Sequence, residues 1–161
     1  FGLLEKEVGQ MIFDPIEVRA GGSVLIAARI EAVFKFISNP HTRLGAVSPL
    51  EVHIETQGES VPESRYQGEL EIAGRVLRYD ARTSIQEPPT LLVVEMKGEV
   101  SGQQVFNLAE EANATRLNLD LQYSVPPEMP SYYREEPTRT RFAETLVSQT
   151  LANIRSALEI K

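Results

Sequence analysis

The sequence contains no cysteine, which excludes disulfides, thiolate nucleophiles, cysteine-ligated zinc and iron–sulfur clusters. Tryptophan is absent too, and only two histidines occur. His41 and His53 have no partner at metal-ligand spacing, and His53 falls on a polar parity between Glu51 and Glu55, so a solvated face suits it better than a ligating or catalytic role. Basic residues are in deficit, with 16 Lys and Arg against 23 Asp and Glu for a net charge of -7. That balance argues against a nucleic-acid partner or an anionic membrane surface, both of which select for clustered cations. No apolar run reaches the length of a membrane span, and residues 1–10 are too acidic for a secretory signal. A cytoplasmic location is the default expectation. Glycines are not arranged as a phosphate-cradling loop, so neither a metal nor any other cofactor is expected.

What is present is a pattern of alternation that ends in one long helix. The length of 161 residues suits one domain with a real core. Over residues 137–161, Ala143, Leu146, Val147, Thr150, Leu151, Ile154, Ala157 and Leu158 fall on one helical arc. Pro137 suits a first turn, and Glu135 and Glu136 put negative charge at the positive end of the helix dipole. Upstream, residues 11–18 read as extended with an interruption at Asp14-Pro15, and residues 23–28 read as the first sheet strand, after a turn at Gly21-Gly22. Ile30, Val33, Phe34 and Ile37 then mark a short helix closed at Asn39-Pro40, and residues 41–49 read as a second short helix or a loop. From there the period is two, which predicts strands at 50–55, 66–72, 77–85 and 91–96, one ending at Phe106 and Leu108, and one at 117–125. Ala73-Gly74 makes a tight hairpin between the second and third of these. The expected class is α+β, with a curved antiparallel sheet wrapped around the long C-terminal helix and short helices after the first strand.

Several short motifs repeat that order at a finer grain. Ser23-Val24-Leu25-Ile26-Ala27-Ala28 leads into Glu31-Ala32-Val33-Phe34-Lys35-Phe36-Ile37-Ser38-Asn39-Pro40. Glu87-Pro88-Pro89, Phe106 with Leu108, Ala114-Thr115-Arg116-Leu117 and Thr150-Leu151-Ala152-Asn153-Ile154 follow at matching intervals. Together they resemble the START-like helix-grip superfamily, which includes polyketide cyclase/dehydrase-like proteins, plant pathogenesis-related allergens and lipid-transfer domains. The chain departs from that pattern in lacking the tryptophan that often follows the Asn-Pro turn. The resemblance covers about residues 23–161 and leaves 1–22 as an N-terminal extension. It implies a helix-grip domain that binds or transports a hydrophobic or aromatic small molecule, lipid or polyketide-like, between sheet and helix. A polyketide cyclase-like enzyme and a protein-interaction module of the chaperone-activator type are the alternatives it carries.

On such a fold the inward parity supplies a lining of Tyr66, Leu70, Tyr79, Ala81, Thr83, Met96, Phe106, Leu108, Leu119, Leu121 and Tyr123. Phe142, Leu146 and Thr150 form the roof, and Gln104 joins the tyrosines and Thr83 as a polar contact for a ligand. The same residues also describe an ordinary filled core, because periodicity does not measure volume. Glu95 interrupts the apolar run 91–96 and would have a raised pKa if it faced inward, but the parity with Leu92, Val94 and Met96 inward leaves it outside and is preferred. Arg75, Arg78 and Arg82 form a ladder on the polar face that cross-strand acids could satisfy. The expected partner is a hydrophobic small molecule, not a nucleic acid, and a homodimer is also compatible with the sequence.

Overall fold

Alternating burial along the strands and helical repeats at both ends account for the architecture of the computed structural model, which describes residues 14–45 and 65–159. The strands are β1 (Ile16–Ile26), β2 (Arg65–Ile72), β3 (Arg75–Glu87), β4 (Leu91–Gly98), β5 (Ser101–Glu111) and β6 (Ala114–Val125). The helices are α1 (Ile30–Ser38), α2 (Pro40–Gly45) and α3 (Glu136–Glu159), with a short 3-10 turn at Ser131–Arg134 before α3. The expected strand at 50–55, with His53, lies outside the described residues, as does the side chain of His41. The strands form one antiparallel sheet in the order β1-β6-β5-β4-β3-β2. The sheet curls around α3, with α1 and α2 following β1, so the class is the expected α+β helix grip.

The helix lies along β1, and three contacts fix its direction. Near its start the Arg139 guanidinium donates to the Glu17 carbonyl at 3.2 Å, and at its end the Glu159 carboxylate accepts from the Ala27 amide at 2.8 Å. Midway, Val147 and Leu151 lie over Gly22, where an added β-carbon would come within 2.9 Å of Val147 Cγ1. From position 139 to 159 a helix rises about 30 Å, and from 17 to 27 a strand rises about 33 Å. The two elements therefore match in length and run in the same direction. Ala143, Val147, Thr150, Leu151 and Ile154 are buried on the facing arc, while Leu146 and Leu158 lie half-buried at its edge and Ala157 is exposed.

That packing corrects the reading of the first strand. It begins at Ile16 and not Ser23, and Ile16, Val18 and Ala20 are buried against α3 and β6. Residues 16–22, expected to belong to an extension, are sheet. Gly21 and Gly22 look like turn residues in sequence, but they pair with Asp120 and Leu119 inside the β1–β6 ladder. At position 22 glycine is there because the Val147 and Leu151 side chains of the helix come so close to the strand.

Elsewhere the alternation survives. Ala73 and Gly74, with φ of 53 and 79, make the β2–β3 hairpin turn. Leu92, Val94 and Met96 are buried while Glu95 faces out and pairs with Arg82 at 3.1 Å. Arg78 meets Glu69 at 3.2 Å, and Arg75 donates to the Glu128 carbonyl, so the arginine ladder is satisfied within the chain. Ile85 is the exception. The period of two puts it on the inward parity of Leu77, Tyr79, Ala81 and Thr83, yet it is 42% exposed because a bulge between Thr83 and Ile85 shifts the register against β4 and flips the parity of the end of β3.

Candidate functional site

Between the concave sheet and α3 the side chains leave a small internal space. Its wall consists of Leu70 from β2, Tyr79 from β3, Met96 from β4, Gln104 and Phe106 from β5, and Leu119, Leu121 and Tyr123 from β6. Leu146, Val147 and Thr150 of α3 close it on one side, and Val100 and Arg43 complete it. The cavity measures about 40 Å³, room for about three water molecules.

Sheet curvature brings ten of the fifteen expected lining residues onto this wall: Leu70, Tyr79, Met96, Gln104, Phe106, Leu119, Leu121, Tyr123, Leu146 and Thr150. Five lie elsewhere. Tyr66, Ala81 and Thr83 are buried, at 2%, 3% and 2% exposure, but in packed core further along β2 and β3. Leu108 is likewise buried core off the wall. Phe142 is 40% exposed, because it sits beside the buried arc that starts at Ala143 and turns its ring to Tyr133, 5.6 Å away.

Phe142 lines a second feature, a surface groove of about 540 Å³ between α3 and the β2–β3 hairpin. Its walls are Thr138, Arg141, Phe142, Thr145, Leu146 and Gln149 on the helix and Leu70, Glu71, Ala73 and Gly74 opposite. Leu70 and Leu146 belong to both walls, so these two half-buried side chains are the partition between groove and cavity.

The polar groups of the interior are unevenly satisfied. Tyr123 and Tyr133 share a hydrogen bond between their hydroxyls at 3.2 Å. The Thr150 hydroxyl donates to the Leu146 carbonyl at 2.7 Å, and the Gln104 amide meets the Met96 sulfur, a weak acceptor, at 3.5 Å. Tyr79 packs its phenol over Gly68, where a β-carbon would lie 2.4 Å from Cζ, and stands edge-on to Tyr66 with ring centroids 6.2 Å apart. The Tyr66 hydroxyl is buried and has no hydrogen-bond partner among the described residues. Burial raises the pKa of Tyr79 above the usual phenol value, reinforced by Tyr66 and opposed by Arg43. Tyr123 is raised by burial and then by Tyr133, and Tyr133 by burial against the hydrogen bond from Tyr123. Both cavity phenols therefore stay neutral across the physiological range.

Two of these residues were missed in sequence. Tyr133 sits in a proline-rich connection with no period to place it. Arg43 lies in α2, whose six residues Pro-His-Thr-Arg-Leu-Gly show no periodicity, yet it is 1% exposed. Among the described residues no group of three His, Asp or Glu side chains could hold a metal ion, and no helix is long and apolar enough to cross a membrane.

No protein-family model matches the chain, and no curated protein matches it. Solved structures do. The Zhui aromatase/cyclase from Streptomyces sp. R1128 superposes with a TM-score of 0.72 at 13% identity, covering 89% of this chain and 94% of its own. A conserved protein from Geobacillus kaustophilus gives a TM-score of 0.68 at 18% identity over 87% and 94% of the two chains. Ara h 8.0201 gives 0.61 at 6% identity over 88% and 97%. At such identities the likeness carries the fold alone, which is the START-like, Bet v 1-like helix grip.

Proposed function

We propose that the protein binds a hydrophobic or aromatic small molecule that lies in the groove between α3 and the β2–β3 hairpin and inserts into the interior. The observation that carries this reading is the shared wall: Leu70 and Leu146 face both the groove and the cavity, so rotation of two half-buried side chains joins them. The groove alone has a volume within the range of about 300–1,000 Å³ typical of small-molecule sites. A likeness to an aromatase/cyclase and to Ara h 8.0201 is consistent with a ligand-holding role for this fold. Binding is preferred to catalysis because the cavity phenols are held neutral and the described cavity wall, as distinct from the groove with its Glu71, carries no carboxylate or imidazole to move a proton.

The test is fluorescence titration with Nile red, a neutral apolar dye. Leu146→Trp, which thickens the partition, and Thr150→Leu, which fills the space behind it, are each expected to weaken dye binding by at least tenfold while melting within a few degrees of the parent. Unchanged dye binding in both variants would overturn the reading and favour a protein-interaction module that works through its outer surface.

A further inference from the structure

We infer that the ligand of this site is an acid, and that its carboxylate pairs with Arg43. The inference rests on the binding reading above and names the chemistry of what is bound.

Arg43 is 1% exposed and lines the cavity. Part of its placement is structural. Its Nη1 donates to the Ile37 carbonyl at 2.6 Å, in the last turn of α1, where backbone carbonyls have no helical partner and the dipole is negative. The guanidinium also lies over the Tyr66 ring, with Cζ 5.6 Å from its centroid. These contacts engage one nitrogen and one face. Nε and Nη2 are buried and find no hydrogen-bond partner among the described residues.

The two idle nitrogens share one edge of the guanidinium. Their N–H bonds point side by side, at the spacing that meets both oxygens of a carboxylate. A guanidinium does not lose its proton in a protein, so its charge persists inside the fold. Nothing on the described cavity wall balances it, since that wall has no carboxylate and the neighbouring Tyr79 phenol is kept neutral by burial. A buried cation with its bidentate edge unpaired is costly to the empty protein. The cost is recovered when a ligand presents two oxygens to that edge and lays its apolar body along Leu70, Leu119 and Leu146.

Calorimetric titration with matched acid and amide pairs tests this: phenylacetic acid and phenylacetamide, 1-naphthaleneacetic acid and its amide, decanoic acid and decanamide. Each pair keeps the shape and changes the charge, and the pairs separate aromatic from fatty acids as the source. At neutral pH the parent is expected to bind the acid at least tenfold more tightly than the amide in one or more pairs. Arg43→Gln keeps a donor for Ile37 but has no charge, and should bring acid and amide within about twofold; Arg43→Lys, charged but without the paired edge, should fall between. Equal binding of acid and amide by the parent overturns the inference without any variant having to fold, as does an acid preference that survives Arg43→Gln. If Nile red binds but no acid does, the inference fails and the binding reading stands. If neither the dye nor any member of the pairs binds, both fail.

Discussion

Ile154→Asp is expected to leave the protein without a cooperative thermal transition, whereas Leu146→Asp, on the same helix, should still fold. Ile154 is fully buried, the last such residue of the stripe that runs from Ala143 along α3. The substitution removes about 2–3 kcal/mol of apolar burial and adds an unpaired charge, a combined cost of about 4–5 kcal/mol or more. That is comparable to the entire stability of many domains this size. Leu146 sits at the edge of the stripe with one side on the open groove. A carboxylate there can reach water, so its cost is about 1–2 kcal/mol, mostly lost burial. Circular dichroism melts of the two variants decide it. An Ile154→Asp protein that melted within a few degrees of the parent would mean that the stripe does not face the sheet.

Stability should also fall steeply in alkali, starting near the ordinary phenol pKa. Tyr79 and Tyr123 are raised above it in the fold, so at high pH the unfolded chain releases protons that the native protein retains. The stabilising contribution is complete below about pH 10 and is lost as pH rises from there towards the folded values. The slope is about 1.4 kcal/mol per pH unit for each such tyrosine, so about 3 kcal/mol per unit for the two together. Urea titrations between pH 8 and 11.5 measure it. Tyr79→Phe and Tyr123→Phe should each remove about half of the slope, and a stability that stays flat from pH 9 to 11 would show that these phenols titrate normally and are not buried.

Much of this was legible in the residues alone, and the exceptions share a cause. The helix at 30–38 and the strand containing Leu117, Leu119, Leu121, Tyr123 and Val125 could be read because each places its apolar residues at a single unbroken period. Tyr66, Tyr79 and Tyr123 were placed inside for the same reason, and all three are buried. The misreadings occur where a residue answers to a distant neighbour. Gly22 is set by Val147 and Leu151, far along the chain. Ile85 faces out because of a bulge that composition does not announce. Arg43 is inside because a helix end and an aromatic ring hold it there, against the usual rule for arginine. Volume was illegible for a related reason: the same lining can close on nothing or on about 40 Å³, and only the sheet's curvature chooses.

The pairing of β1 with β6 has a consequence for how the chain reaches this state. Strands β2 to β6 follow one another as a meander, each pairing with its sequence neighbour, but β1 finds its partner only in the last strand of the sheet. Closing that ladder joins residues 89 (Ile26 to Thr115) to 109 (Ile16 to Val125) positions apart, so its entropic cost comes before the contacts that repay it, which is the signature of slow folding. During synthesis the order is more demanding still. The first strand emerges early, yet both the edge it docks on and the helix that covers Val18, Ala20 and Gly22 are made last. Until then its apolar residues and unpaired backbone are open to other chains, so the first strand is the segment of the nascent protein most exposed to misassembly.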